Sequence, residues 1–306
     1  MITKEPPAMA PKSGQRQWGR RIRRIGLRVL AAGAMLYIGM TLFALAIESD
    51  VVFDASRPDQ EWIDKPDPSI QDVTLHSADG AMHAWYCAPE RPDAAILVCH
   101  GNAGNLSFRG HNMVELRKRF NAAIMVFDYP GYGLSEGEPS ERGCYAAADA
   151  AFDWLVQENG FRPQQIIVYG ESLGGGVAVD IASRRSVSAL VLVNTFANLP
   201  EVAQRIYFWL PAVALMHNRF DSEKKIHSVH APIFITHGTG DRLIPVEHSL
   251  RLLAQARSPK EFLAREGKGH RDPLSDEELD CIHAFLIKHG ELPGEPPLKG
   301  IASEAP

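Results

Sequence analysis

Short apolar runs and amphipathic stretches alternate along the chain from residue 94 to residue 287. The apolar runs are rich in Val, Ile and Leu, and they predict strands at residues 94–99, 123–128, 166–169, 189–193 and 233–236. The intervening stretches have apolar positions at helical spacing, and they predict helices at residues 106–120, 146–159, 175–184, 248–256 and 277–287. Nearly continuous apolar strands that alternate with helices are typical of a parallel sheet covered on both faces. The pattern therefore predicts an α/β fold.

Two earlier apolar runs have a different arrangement. Residues 70–75 and 82–87 are strand-like, and the turn-forming sequence Ala78-Asp79-Gly80 separates them. This spacing predicts an antiparallel hairpin at one edge of the sheet. The soluble part of the chain is long enough to bury one core, so we predict one domain over residues 70–290. Residues 291–306 have the composition of a disordered tail.

A long apolar run near the N-terminus predicts a membrane span. Residues 29–47 carry no charge and would form a helix about 28 Å long, which matches the hydrocarbon core of a bilayer. Before the run stand Arg16, Arg20, Arg21, Arg23, Arg24 and Arg28, and after it stand Glu48, Asp50, Asp54, Asp59, Glu61 and Asp64. Basic flanks stay in the cytoplasm. We therefore predict a single-pass signal anchor at residues 29–47, with residues 1–28 cytoplasmic, a juxtamembrane linker at residues 48–69 and the domain on the outer side.

A cleaved signal peptide is the alternative reading of this segment. Ala44-Leu45-Ala46 resembles a cleavage site, and Arg23-Arg24 is weakly similar to a twin-arginine signal. The domain would then be secreted. An uncleaved anchor is favoured because the apolar run is longer than the usual core of a signal peptide.

The sequence Gly170-Glu171-Ser172-Leu173-Gly174 lies between a predicted strand and a predicted helix that begins with small residues. Strand, sharp turn and helix in this order are typical of a nucleophile elbow, in which the turn exposes a strained serine. Glycines flank the serine because side chains there would collide with the neighbouring elements. A helix N-cap is the plain structural alternative for Ser172.

A serine nucleophile needs a base and a carboxylate that orients the base. Asp241 follows the predicted strand at residues 233–236, and His270 follows the apolar stretch at residues 261–264. Nucleophile, acid and histidine thus come in the order Ser172, Asp241, His270, each just after a strand, where open α/β sheets assemble their sites. The sequence therefore predicts a catalytic triad of these three residues.

The loop after the strand at residues 94–99 predicts an oxyanion hole. It reads His-Gly-Asn-Ala-Gly-Asn over residues 100–105, and its glycines allow the backbone to approach a substrate closely. We expect the backbone amides of Asn102 and Leu173 to face the developing negative charge.

With these motifs in place, the chain resembles the α/β-hydrolase superfamily. Within it, the chain is similar to the Bem46-like branch, which includes α/β-hydrolase domain-containing proteins 13 and 17 and is often grouped with serine aminopeptidase-like hydrolases. The resemblance covers residues 70–290 and depends on HGNAGN at 100–105, DYPGYGLSEG at 128–137, GESLGG at 170–175, HGTGDRLIP at 237–245 and GKGH at 267–270. It implies a catalytic triad on a mostly parallel eight-stranded sheet, without a cofactor.

The regular alternation is interrupted at residues 194–230, where the fold carries its cap. This insertion is unusually apolar, and the stretch 206–216 can line an acyl-binding groove, contact a membrane surface or pack as core. The candidate substrate-binding residues are Phe196, Phe208, Trp209 and Met216. An aminopeptidase needs acidic groups for a charged amino terminus, and the cap offers only Glu201, Asp221 and Glu223. A small-acyl or lipid-like ester fits better.

Composition narrows the remaining function classes. The net charge is −5, and outside the basic N-terminus the chain is acidic, so nucleic-acid binding is excluded as a main function. Four widely spaced cysteines lack the spacing of a metal site, which predicts free thiols and no bound metal.

The sequence thus predicts a membrane-anchored serine hydrolase that acts on acyl or lipid-like esters. Three alternatives stay open: a peptidase, an acyl-protein thioesterase of the depalmitoylase kind, and a catalytically quiet, membrane-tethered interaction module. The thioesterase reading requires a domain on the cytoplasmic side, contrary to the charge asymmetry.

Overall fold

A computed structural model describes residues 13–293, and the chain divides into two units after Glu48. The first unit holds helix α1, Ser13–Ala46. Within α1, Arg20–Ala46 is long and apolar enough to cross a membrane, and a signal sequence would share these properties. Residues 294–306 of the tail predicted at residues 291–306, and the first twelve residues of the predicted cytoplasmic segment, lie outside the described residues.

The second unit is built on one eight-stranded sheet. Its strands are β1 Gln71–Ser77, β2 Gly80–Cys87, β3 Ala95–Cys99, β4 Ala123–Phe127, β5 Ile166–Glu171, β6 Leu190–Val193, β7 Ile233–Gly238 and β8 Lys260–Arg265. They lie in the order β1-β2-β4-β3-β5-β6-β7-β8. Strand β2 is antiparallel to β1 and β4, and all the other neighbours are parallel. The predicted α/β fold, the mostly parallel sheet and the edge hairpin are confirmed.

Helices cover both faces of this sheet. After α1 come α2 Glu48–Val52, α3 Gly110–Phe120, α4 Glu141–Gln157, α5 Leu173–Arg184, α6 Leu199–Ile206, α7 Ala212–Leu215, α8 Glu247–Gln255 and α9 Asp276–Lys288. In β3, Leu97 belongs to a core cluster with residues of α4 and α5, whereas Ile96 belongs to a second cluster with residues of α3 and α9. Successive residues of a strand point to opposite faces, so fully apolar strands make two cores. All four cysteines are free thiols, as predicted.

Two helix starts differ from the sequence prediction by more than two residues. The stretch predicted as one helix from residue 106 begins with a 3-10 turn, Leu106–Arg109, and α3 starts at Gly110. Helix α4 starts at Glu141 rather than residue 146, because the side chain of Ser140 accepts a hydrogen bond from the Gly143 amide and caps the helix.

The segment predicted as a linker makes ordered contacts with the domain. Phe53 is buried in the larger core cluster. The Ser56 amide donates to the Gly104 carbonyl at 3.0 Å, and the Gly104 amide donates to the Asp54 carbonyl at 3.0 Å. Asn102 Nδ2 also donates to the Val52 carbonyl at 3.2 Å. Residues 52–56 thus hold the loop at residues 100–105 through hydrogen bonds.

Candidate active site

Ser172 lies at a sharp turn between β5 and α5. Its backbone has φ 53° and ψ −117°, which is a strained conformation for a residue with a side chain. A Cβ at Gly170 would lie 2.6 Å from the Gly174 carbonyl oxygen, and one at Gly174 would lie 2.0 Å from the Cys99 carbonyl oxygen. Only glycine fits at these two positions, so the elbow brings its strand and helix into close contact and presents the serine.

The structure brings the three predicted triad residues together. Ser172 Oγ lies 3.0 Å from His270 Nε2, and His270 Nδ1 lies 2.6 Å from Asp241 Oδ2. An ionised carboxylate only accepts hydrogen bonds, so His270 carries its proton on Nδ1. His270 Nε2 is then free to accept the proton of the serine hydroxyl. The chain of hydrogen bonds is continuous from hydroxyl to carboxylate.

Asp241 is held in its ionised form. Its Oδ1 accepts the backbone amides of Leu243 and Ile244, both at 2.9 Å. Burial raises the pKa of the Asp241 carboxyl, but the hydrogen bonds of His237 and His270 outweigh burial. Together with the amide of Ile244 they hold this pKa well below the ordinary value. The carboxylate therefore stays charged beside the imidazole.

A second histidine, His237, contacts Asp241 and the loop that carries it. His237 is fully buried, with Nδ1 2.7 Å from Ser249 Oγ and Nε2 2.8 Å from the Ile244 carbonyl. The same Nε2 lies 3.3 Å from Asp241 Oδ2. His237 thus makes local hydrogen bonds that fix the loop carrying the acid.

The predicted oxyanion loop lies against the serine. A Cβ at Gly101 would be 3.5 Å from the Ser172 Cβ. Tyr132 Oη donates to the Asn102 carbonyl at 2.8 Å, and Tyr129 Oη donates to the His100 carbonyl at 2.7 Å. Both tyrosines belong to the DYPGYG motif, so this motif anchors the loop from which Asn102 comes. Leu173, which carries the other expected amide, directly follows the serine.

Asn194 contributes to the site, and the sequence patterns did not predict this role. It has φ 48°, its Nδ2 donates to the His270 carbonyl at 3.0 Å, and its Oδ1 accepts the Gly238 amide at 3.0 Å. It therefore ties the end of β7 to the histidine loop. The next residue, Thr195, donates through Oγ1 to the Ser172 carbonyl at 2.8 Å. Both residues stand directly after β6, at the sheet edge where the candidate triad residues lie, and this position could have identified them from the sequence.

The four candidate substrate-binding residues have different environments. Phe196 is buried and packs edge-on against Phe220, with ring centroids 6.4 Å apart. Met216 is also buried, and Trp209 is half-buried. Phe208 is 83% exposed. The structure thus places Phe196 and Met216 in the core and Phe208 in solvent.

No cluster of three or more His, Cys, Asp or Glu side chains within residues 13–293 is arranged to hold a metal ion.

A protein-family model for the alpha/beta hydrolase fold matches residues 94–224 of the chain. The uncharacterized protein Rv2307c of Mycobacterium tuberculosis is 36% identical over 272 residues, which cover 87% of this chain and 96% of the relative. Alpha/beta hydrolase domain-containing protein 17B of Homo sapiens is 31% identical over 235 residues, which cover 76% of this chain and 80% of the relative.

Solved structures show the same fold at lower identity. The esterase Pf2001 of Pyrococcus furiosus has a TM-score of 0.66 at 17% identity, over 78% of this chain and 98% of the esterase. A puromycin-hydrolyzing peptidase of Mycobacterium tuberculosis has a TM-score of 0.62 at 19% identity, over 76% of this chain and 41% of the peptidase. At such identities the similarity concerns the fold alone.

Proposed function

Because this chain belongs to the α/β-hydrolase family, we propose that it is a serine hydrolase that cleaves carboxylic or lipid-like esters through an acyl-enzyme intermediate. The proposal is supported above all by the hydrogen-bonded chain from Ser172 through His270 to Asp241. A serine at the elbow, rather than an aspartate, favours acyl transfer over the haloalkane and epoxide chemistry of the same fold.

The reaction begins when Ser172 Oγ attacks the acyl carbonyl and His270 Nε2 takes the hydroxyl proton. Asp241 keeps the imidazole in the productive tautomer and stabilises the imidazolium. The amides of Asn102 and Leu173 donate to the oxyanion of the tetrahedral intermediate. His270 then gives its proton to the leaving alkoxide. In the second half-reaction His270 activates water, which releases the acyl group and restores the serine.

The carboxylates of the cap are paired with cations of the protein, and this pairing favours an ester substrate over a peptide with a free amino terminus. Glu201 and Glu223 both bind the guanidinium of Arg251, with Nη2–Oε1 3.2 Å for Glu201 and Nε–Oε1 3.1 Å for Glu223. The hydrogen bond from Arg251 lowers the pKa of Glu201. Asp221 accepts from Lys224 Nζ at 2.9 Å. These groups are already paired within the protein, so they are poorly suited to recognise the ammonium group that an aminopeptidase substrate carries.

We propose further that α1 anchors the enzyme in a membrane with its basic flank in the cytoplasm. The support is the length and composition of Arg20–Ala46 together with the arginines that precede the apolar run. The catalytic unit would then lie on the outer side.

Active-site labelling tests the reaction. The full chain in detergent is exposed to a fluorophosphonate probe and assayed with p-nitrophenyl esters of two to sixteen carbons. Ser172→Ala should abolish labelling and lower turnover by at least about 10⁴-fold, since the nucleophile itself is removed. Ser183→Ala, near the end of α5 and with its hydroxyl donating to the Asp180 carbonyl, serves as the matched control.

The outcomes separate the candidate functions. Turnover of the oxygen esters with an optimum at long chains supports a lipid-like substrate. Labelling without turnover of these esters, but with turnover of acyl thioesters, would favour the thioesterase. A folded wild type that the probe does not label would overturn the serine-hydrolase proposal and leave the interaction module.

A further inference from the structure

The cap presents a group of large apolar side chains to solvent. The exposed fractions are 48% for Ile206, 38% for Tyr207, 83% for Phe208, 45% for Val213 and 38% for Leu215. These five residues, called the cap tip here, lie within ten positions of one another. Single exposed apolar residues are ordinary, but a contiguous exposed group marks an interaction site.

The cap tip is exposed because the cap uses other side chains for its own packing. Val202, Leu210, Ala212 and Met216 are buried. Helix α6 ends at Ile206 and α7 begins after Pro211, so the chain turns sharply between them. The turn directs one set of side chains inward and leaves the cap tip outward. The buried side chains of the cap are therefore packed by folding of the domain alone. The cap tip has no such packing within the domain, so it is available for another partner.

The charge around the cap tip indicates what that partner is. Residues 202–220 contain Arg205 and Arg219 but no Asp or Glu, although the whole chain has a net charge of −5. Arg205 is exposed beside the tip. Arg219 is paired with Asp221, with 3.3 Å between Nε and Oδ2, so Arg205 supplies the cation at the tip. An exposed apolar and aromatic group beside a cation, in a stretch without carboxylates, is complementary to the surface of a bilayer with anionic lipids. Tyr and Phe side chains are also well suited to the boundary between headgroups and acyl chains.

We propose that the cap tip docks on an anionic phospholipid surface and inserts Phe208 among the lipids. The same chain contains a helix that is long and apolar enough to cross a membrane, which favours a bilayer over a soluble partner. Docking would use the cap itself and does not depend on which side of the membrane the domain occupies.

The cap also connects directly to the candidate active site. It follows Thr195, which bonds the Ser172 carbonyl, and the Ala197 amide donates to His248 Nδ1 at 3.2 Å at the base of the cap. A docked cap therefore brings the site close to acyl esters held in the bilayer. This consequence, unlike docking itself, rests on the proposed hydrolase function, and it names bilayer-resident long-chain esters as the substrate class.

Depth-dependent quenching tests docking without any assay of activity. The full chain with Cys281→Ser is labelled at Phe208→Cys with an environment-sensitive fluorophore and reconstituted in vesicles of phosphatidylcholine and phosphatidylglycerol. Lipids brominated along the acyl chain should quench this label by at least about twofold and shift its emission to the blue. The same label at Leu250→Cys, on α8 and 42% exposed, should show neither effect. Equal quenching at both sites, or none at position 208, would overturn the proposal.

A second pair of variants tests the consequence for substrate. Val213→Asp should lower kcat/KM for a long-chain ester presented in anionic vesicles by about tenfold and change the hydrolysis of soluble p-nitrophenyl acetate less than about twofold. Leu250→Asp should change neither. Equal losses on both substrates would overturn the link between cap and bilayer substrate. If the label at Phe208→Cys is quenched as expected but the wild type hydrolyses neither ester, the proposed function would be overturned and docking would remain supported. Cross-linking of the tip to a second copy without quenching would instead identify a protein interface.

Discussion

Asn194 shows how much of the site geometry depends on one side chain. It lies 76 positions before His270 and holds the histidine carbonyl through its amide nitrogen, while its amide oxygen holds Gly238. Asn and Asp tolerate its left-handed backbone better than other residues with side chains. The Asn side chain also supplies a donor and an acceptor at once, which Asp cannot do. Its position therefore demands both a backbone preference and a hydrogen-bonding pattern.

Asn194→Asp is expected to lower kcat/KM by about 10–100-fold, because the donor to the His270 carbonyl is lost and a misplacement of about 1 Å costs up to about 100-fold. Asp keeps the acceptor for Gly238 and the backbone preference, but it buries a carboxylate against the His270 carbonyl, so the melting temperature should fall as well. Asn121→Asp, at the end of α3 with φ 47°, is the matched control. An unchanged kcat/KM at a temperature well below the melting point of the variant would mean that Asn194 has only a structural role.

The low pKa of Asp241 makes its contribution to stability pH-dependent. A group whose pKa is lower in the folded than in the unfolded state stabilises the fold above its unfolded pKa of about 3.9. That stabilisation is lost as pH falls toward the folded pKa. The difference in unfolding free energy between the wild type and Asp241→Asn should therefore be constant from pH 7 to about pH 5 and shrink below about pH 4. Urea titrations at pH 7, 5, 4 and 3 measure it. A difference that grows with acidification would contradict the assignment.

At the scale of elements, the contact between α5 and the end of β6 explains why a glycine stands three positions after the serine. A Cβ at Gly175 would lie 2.0 Å from Thr195 Oγ1 and 2.4 Å from Thr195 Cβ. Helix α5 thus approaches the end of β6 more closely than any side chain at position 175 allows. The same close approach lets the Thr195 hydroxyl donate a hydrogen bond to the Ser172 carbonyl.

Gly175→Ala is expected to destabilise the domain by about 1–3 kcal/mol through overpacking. Thr195→Gly in the same chain should recover part of that loss, which a double-mutant cycle on urea unfolding measures as a coupling free energy. Gly33→Ala, whose added Cβ would meet nothing within 4 Å, serves as the control. Strict additivity of the two substitutions would show that the contact is not what excludes a side chain.

Element boundaries also show where sequence patterns are sufficient. The strands β3, β5 and β7 lie within about two residues of their predicted bounds, because fully apolar runs between polar loops have few alternatives. Helix α4 begins earlier than predicted, since its first turn is polar and only the cap by Ser140 marks it. Apolar periodicity locates the buried part of a helix, and capping decides where the helix begins.

At the scale of the whole molecule, the orientation in the membrane separates the proposed outer hydrolase from a cytoplasmic thioesterase. Replacing Arg20, Arg21, Arg23 and Arg24 with glutamate should weaken or invert the proposed orientation, because basic residues beside a span favour the cytoplasmic side. A C-terminal alkaline phosphatase fusion, active only where its disulfides form, should lose about tenfold activity. Lysine at the same four positions keeps the charge and should keep the activity. An inactive wild-type fusion would place the domain inside and favour the thioesterase.

The sequence alone determined the fold class and the three triad candidates, since both follow from local patterns. The strand and helix periods are set within a few residues, and Ser172, Asp241 and His270 each stand directly after a strand, where the topology brings loops together. The sequence also predicted the glycines on either side of the elbow serine, Gly170 and Gly174.

Only the tertiary structure decided how distant segments complete the site and which cap residues face outward. The contacts of Asn194 with His270 and of Ser56 with the loop at residues 100–105 join segments tens of positions apart, and nothing in either local sequence encodes its partner. Within the cap, Phe196 and Phe208 have the same chemistry, yet one is buried and the other is 83% exposed. Hydrophobic burial is non-directional, so the packing of the cap, and not the identity of its side chains, selects which of them remain for a partner.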